Sequence, residues 1–371
     1  MASFSYCDLN TIRYLDLILV VVPWCRPTLM SAEELLPTRT ISPDPRISVV
    51  GVGGAGNNLL THAIGSGLSP NHCVAVNTDR SQLSKSLARN KVLLGNGGEI
   101  EEVQAKKDLQ LSIRRVTPFT DASDFTIVVT GLGGGTGTGA APLIAQWSRS
   151  QVCPVVSVVA IPFIHERERR FVALRGLKKM VEACDCTVVI DNSMESDAPS
   201  SNERRADELA SLAVSGLTDL MSRMGPVQKQ NFRRIVSLGP IATLCSAPIR
   251  SRDKIQSAVF EALKNPSARF PLSKTRGAVL FYRGPDVISD GHAVQAYDTV
   301  ASLAGHEVEF FYGSVQRDSD PRICLLLTGY DYGTAVQTFV EFIELYDIEY
   351  GQTNPGSVVH LQVPLFQMEQ A

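Results

Sequence analysis

The chain lacks a strong charge of either sign. Its 371 residues hold 35 Lys and Arg against 38 Asp and Glu, a net charge of −3. No basic excess marks it for nucleic acid, and no acidic surface dominates. A disulfide framework is missing as well. Eight cysteines are scattered at 7, 25, 73, 153, 184, 186, 245 and 324. The close pair Cys184 and Cys186 borders an apolar run and has no metal-ligand partners nearby in sequence. These thiols read as buried side chains of a reduced, cytoplasmic protein. No apolar run reaches the length of a transmembrane helix. Nor is there a Gly-x4-Gly-Lys-Ser/Thr sequence, which excludes a P-loop NTPase.

The first 45 residues stand apart. Leu17–Val22 is an unbroken apolar run followed by Pro23-Trp24-Cys25. It is too short to span a bilayer, and Asp16 at its start fits a signal peptide poorly. Met30 opens a second start, followed by Pro37, Pro43 and Pro45. The segment reads as a disordered or mis-called extension, with a peripheral membrane anchor as the lesser reading.

From Arg46 onward, short β-branched runs alternate with helical patterns. Arg46–Val52, Cys73–Val76, Lys91–Leu94, Phe125–Thr130, Pro154–Ala160 and Thr187–Ile190 read as strands. Asn57–Ser66, Glu101–Val116, Ala140–Arg149 and Arg170–Cys184 read as helices. This alternation predicts an α/β fold with a doubly wound parallel sheet, whose ligands sit at the carboxyl ends of the strands. Glu203–Met224 reads as one long amphipathic helix, and Gly225–Asn231 as a loop after it. A length of 371 residues suits two domains. The second contains a helix near Asp253–Lys264, strands at Gly277–Tyr282, Glu307–Tyr312 and Ile323–Thr328, and helices at Gly291–Leu303 and Gly333–Leu345.

Two glycine loops fall at strand ends. Gly51-Val-Gly-Gly-Ala-Gly56 fits Gly-x-Gly-x-x-Gly between a strand and a helix, with Asp79 23 residues beyond Gly56. Alone it supports a dinucleotide about as well as a guanine nucleotide. The second loop, Gly131–Gly139, has six glycines and two threonines in nine residues. Its backbone N–H groups can form an anion nest, with threonine hydroxyls as further donors. A dinucleotide fold needs one glycine turn. Two on neighbouring strand ends suggest a triphosphate held from both sides.

These residues resemble the FtsZ branch of the FtsZ/tubulin superfamily. Gly133-Gly-Gly-Thr-Gly-Thr-Gly139 matches the signature loop. Gly53-Gly-Ala-Gly-Asn57, Asn77-Thr78-Asp79, Gly139-Ala-Ala-Pro142 and Pro162-Phe163 with Glu166 and Arg170 match in order. Val189-Ile-Asp-Asn192 and Ala206-Asp-Glu208 look like archaeal members. The resemblance implies a tubulin/FtsZ-like GTP-binding domain over 46–202, a linking helix and interface loop over 203–231, and a smaller α/β C-terminal domain with a short tail over 232–371. It implies GTP or GDP as ligand, with Mg2+ as a companion. It also implies a nucleotide site of Gly53, Gly54, Ala55, Gly56, Asn57, Asp79, Gly133, Gly134, Gly135, Thr136, Gly137 and Thr138. Glu166 and Arg170 would contact the ribose and nearby groups, and Asp207 the guanine edge. It further implies self-association or co-assembly with another FtsZ, and adaptor proteins at a division site. An NAD-dependent oxidoreductase built on Gly51–Gly56 and Asp79 is the alternative.

One departure bears on catalysis. The family's interface loop carries two acids that act on the attacking water of a neighbour's GTP. Aligned on Phe232, those positions hold Asn231 and Arg234, and no Asp or Glu occurs between Asp219 and Asp253. A general base contributes about 10²–10⁴ in rate, so weak hydrolysis is expected. Either Lys229, Arg233 and Arg234 clamp a neighbour's phosphates, or the loop is a free basic surface. The loop Leu94–Glu99 is also short for the family, which puts nucleotide switching in question.

Overall fold

The computed structural model describes residues 46–340, apart from 96–100, 122, 152, 195–198, 225, 250–254, 286–287 and 317–320. The N-terminal extension, most of the loop Leu94–Glu99 and the tail beyond 340 lie outside the described residues.

Ten strands form one sheet in the order β3-β2-β1-β4-β5-β6-β7-β10-β8-β9. They are β1 (Ile47–Val52), β2 (Cys73–Asn77), β3 (Asn90–Leu93), β4 (Phe125–Gly131), β5 (Val155–Ile161), β6 (Cys186–Asp191), β7 (Ile241–Pro248), β8 (Gly277–Gly284), β9 (Glu309–Gln316) and β10 (Arg322–Tyr330). From β3 to β7 every pairing is parallel; β10 runs antiparallel to both β7 and β8. The predicted strands are therefore present, in a sheet that is parallel-dominated but mixed.

Burial on both faces explains the continuous apolar runs. Along β1, Val50 and Val52 face one core cluster while Ile47 and Val49 face the other. The first cluster is covered by α3 (Glu102–Thr120), α4 (Gly135–Ser150), α5 (Arg167–Ala183), α8 (Ile255–Lys264) and α9 (Asp290–Ala304). The second lies under α1 (Gly53–Gly65), the short α2 (Arg80–Lys85), α6 (Pro199–Arg223) and α7 (Pro226–Val236). Helix α6 is the long helix, beginning four residues before the predicted Glu203. Its buried residues Ala206, Leu209, Ala210, Ala213, Val214 and Leu217 follow helical spacing. A Cβ on Gly216 would lie 2.3 Å from the Phe281 ring, so glycine there lets α6 lie close on β8.

Two differences from the sequence reading matter. Strand β7 was not predicted; it pairs with both β6 and β10 and joins the C-terminal strands to the N-terminal sheet. The predicted loop Gly225–Asn231 is largely helix, since α7 starts at Pro226. Proline is pre-organised for a first helical turn, and Phe232, Ile235 and Val236 bury one face of α7 in the core.

Candidate functional site

Four adjacent strands, β2, β1, β4 and β5, end on one side of the sheet, and their following turns enclose a cleft of about 510 Å³. That size falls within the roughly 300–1,000 Å³ of small-molecule sites. The two glycine loops form its floor. Helices α1 and α4 begin inside them, at Gly53 and Gly135, four and five residues before the predicted Asn57 and Ala140. Glycine is poor in a helix interior. In the first turn, however, N–H groups have no intrahelical acceptor and a ligand can take them. Neither Val52 nor Gly134 caps its helix with a side chain, and neither first turn contains an acid. Both helix starts therefore turn unpaired donors and the positive end of a dipole toward the cleft.

The loops are in backbone contact. A Cβ on Gly137 would lie 2.2 Å from the Gly131 carbonyl oxygen, and one on Gly53 would lie 3.0 Å from the Gly137 nitrogen. Gly53 and Gly133 also have φ of 75° and 92°, a region open to glycine. The Gly133 N–H donates to Thr138 Oγ1 at 3.0 Å, which folds the second loop onto its own helix. At the edge nearest β2, Asn77 Oδ1 accepts from the N–H groups of Thr78 (2.8 Å) and Asp79 (3.2 Å). The hydroxyls of Thr78 and Thr136 meet at 2.8 Å. Asp79 Oδ1 caps α2 through the N–H groups of Ser81 and Gln82.

Of the residues singled out in the sequence, Gly53, Gly54, Ala55, Asp79, Gly134, Gly135, Thr136 and Gly137 line the cleft. Gly56, Asn57, Gly133 and Thr138 stand behind it. Gly56 is a packing residue, since its Cβ would lie 2.4 Å from the Val129 carbonyl. Asn57 is buried, and both its side-chain amide atoms lack a hydrogen-bond partner among the described residues. Such an amide costs about 1–3 kcal/mol per unsatisfied group until something polar meets it. Glu166 is bonded to the Phe163 N–H and ion-paired with Arg169. Arg170 is fully buried against Asp191. Asp207 pairs with His62 at 3.3 Å across α6 and α1. None of these three lines the cleft. The sequence reading did not single out Asn58, Gln82 or Arg169, which do. Gln82 had a usable signal, being on the first turn after Asn77-Thr78-Asp79.

The opposite end of the sheet carries α7. Lys229 is only 6% exposed; burial holds its ammonium below the ordinary lysine range, with Asp124 pulling the other way. Arg234 pairs with Glu309 of β9 at 2.9 Å. Of the three basic residues Lys229 is buried, whereas Arg233 and Arg234 are exposed, Arg234 within its surface ion pair. Among the described residues of α7 there is no acid.

Comparison with known proteins agrees with this geometry. Residues 46–195 match the model of the tubulin/FtsZ family, GTPase domain. The cell division protein FtsZ of Methanothermobacter thermautotrophicus is 31% identical over 323 residues, covering 81% of this chain and 84% of that protein. Cell division protein FtsZ 1 of Pyrococcus horikoshii is 32% identical over 305 residues, covering 76% and 81%. The solved FtsZ dimer of M. jannaschii superposes with a TM-score of 0.70 at 28% identity, covering 77% of this chain and 88% of that one. The match goes with the guanine-nucleotide reading of the glycine loops and against the dinucleotide one. The chain belongs to the tubulin/FtsZ family, as a divergent member similar to archaeal FtsZ proteins.

Proposed function

We propose that this chain holds GTP or GDP in the cleft between its glycine loops, assembles with copies of itself or with a second FtsZ, and hydrolyses GTP slowly. Its role is cytoskeletal, in cell division or cell shape. The observation that carries the reading is the convergence of two uncapped, acid-free helix starts on one cleft. A chain of phosphates supplies the acceptors that those N–H groups lack. Gly53, Gly54, Gly135 and Gly137 let the phosphates approach the backbone, and Thr136 adds a hydroxyl. Behind the cleft, buried Asn57 keeps an amide with no partner among the described residues. Asp79 is the one carboxylate among the described lining residues. A Mg2+ that arrives with the triphosphate would meet protein oxygens there or at Thr78 and Thr136.

Assembly rests on kinship: the M. jannaschii relative is described as a dimer. Slow hydrolysis rests on α7, where Asn231 and Arg234 occupy the positions of the family's acids and Arg234 is held by Glu309. The test is a competition titration with purified protein. GTP and GDP should bind, and NAD(H) should not displace them. Preferential NAD(H) binding without guanine nucleotide binding would refute the reading. Sedimentation with GTP, alone and with a co-resident FtsZ, checks assembly separately.

A further inference from the structure

Two consecutive arginines, Arg169 and Arg170, lie in the first turn of α5, and the fold treats them in opposite ways. Arg170 is fully buried. Its guanidinium donates to both oxygens of Asp191 at 3.0 and 2.8 Å, to the Pro162 carbonyl at 2.7 Å and to Ser193 Oγ at 3.2 Å. The Phe339 ring lies on its face, 5.2 Å from its central carbon. Phe339 belongs to the last described helix (332–340), whose Tyr332 hydroxyl also donates to the Leu174 carbonyl of α5 at 3.0 Å. Arg170 therefore ties α5 to β6 and to that helix. Turning it into the cleft would strip Asp191, itself 5% exposed, of its counter-charge. Leaving one member of a buried pair unpaired is strongly destabilising.

Arg169 lines the cleft, with a side chain 57% exposed. It is the one cation among the described lining residues. Glu166, the N-cap residue three positions earlier, holds its guanidinium in an ion pair. The Arg169 backbone is also fixed against the second glycine loop: a Cβ on Gly133 would lie 2.5 Å from the Arg169 carbonyl oxygen. Loop and arginine therefore share one rigid footing. The nearest competitor for its charge inside the cleft, Asp79, is engaged in capping α2 at the far edge.

We infer that Arg169, rather than Arg170, is the arginine that meets the nucleotide's phosphates, with Glu166 as the positioning residue that holds it before the ligand arrives. This deepens the proposed function and rests on that reading of the cleft. A guanidinium matches a phosphate through two parallel charge-assisted hydrogen bonds, and the phosphate displaces the Glu166 carboxylate or shares the guanidinium with it. The position of the ligand-facing arginine is thus shifted by one residue from the one that the motif resemblance implies. The shift follows from Asp191, Ser193 and Phe339, which together enclose position 170.

The experiment is a titration of the full chain and its variants with fluorescent GTP and GDP at several salt concentrations, with thermal unfolding measured without nucleotide. Arg169→Ala should weaken binding about ten- to a hundredfold, the effect of losing a charged hydrogen-bonding group. It should flatten the salt dependence and leave the nucleotide-free melting temperature near that of the wild type. Arg169→Lys should restore part of the affinity, and Glu166→Gln should cost only a few fold. Arg170→Lys should lower the melting temperature first. Wild-type binding together with unchanged affinity and salt dependence in Arg169→Ala would overturn the inference alone. Failure of the wild type to bind either nucleotide would overturn the cleft reading and this inference with it.

Discussion

The hydroxyls of Thr78 and Thr136 lie 2.8 Å apart and join the end of β2 to the first turn of α4. One residue further along α4, Gly137 leaves no room for a side chain beside Gly131. The cleft is thus closed at one edge by a hydroxyl pair and at its floor by backbone contact.

Thr136→Val keeps the shape and removes the hydroxyl. It should weaken GTP about fivefold to tenfold, as the loss of a hydrogen bond of about 1–1.5 kcal/mol implies. Gly137→Ala should abolish binding, because its Cβ would sit 2.2 Å from the Gly131 carbonyl. Gly65→Ala is the control: among the described residues nothing lies within 4 Å of that Cβ, and alanine at a helix end should leave affinity unchanged. Fluorescent-nucleotide titration reads all three.

The buried pair of Arg170 and Asp191 predicts a stability effect that does not depend on ligand. Arg170→Met should lower unfolding stability by about 3–5 kcal/mol by stranding the carboxylate. Adding Asp191→Leu should recover much of that loss, because the uncompensated charge goes with it. Denaturant melts of the single and double variants give the comparison. Additive losses would show that the pair is not coupled.

Two surface groups give opposite pH dependences. His306 offers its ring nitrogens to the carbonyls of Glu307 and Ser273 at 2.8 and 3.0 Å, and these contacts raise its pKa above the ordinary 6.5. Its stabilisation is fully present below the ordinary value and is lost as pH rises through the raised one. Asp331 accepts from the backbone N–H and the hydroxyl of Thr334, which lower its pKa below 3.8. Its stabilisation is present above the ordinary carboxylate value and is lost as pH falls through the lowered one. His306→Gln should therefore flatten the alkaline limb of a melting-temperature profile and leave the acid limb intact. Asp331→Asn should do the reverse.

Restoring acids to α7 tests the account of hydrolysis. Asn231→Asp with Arg234→Asp should raise phosphate release in assembled protein by about tenfold or more, given the ~10²–10⁴ that a general base contributes. Glu309→Lys belongs in the same variant, because Glu309 would otherwise face a new carboxylate in place of Arg234. An unchanged rate would mean that another group limits turnover.

The cleft was legible in the sequence because glycine spacing between a strand and a helix admits few structures. Gly53, Gly54, Gly135 and Gly137 were identified that way, and all line the cleft. What the sequence hid depends on contacts between distant segments. Nothing in Arg169-Arg170 says which arginine turns inward; Asp191, 21 residues on, and Phe339 decide it. Strand β7 escaped because Ile241-Ala-Thr-Leu-Cys-Ser-Ala-Pro248 mixes small and polar residues, and it is the pairing with β6 and β10 that buries them. Pro226 beside Gly225 has the look of a loop in the sequence, yet it starts a helix.

The central claim is that this chain holds GTP and cleaves it slowly. The direct measurement loads the purified full-length chain with GTP at high protein concentration, then quenches samples over time and separates the bound nucleotides. The account predicts stoichiometric guanine nucleotide that stays mostly GTP over many minutes. Rapid conversion to GDP, or no retained guanine nucleotide at all, would contradict it.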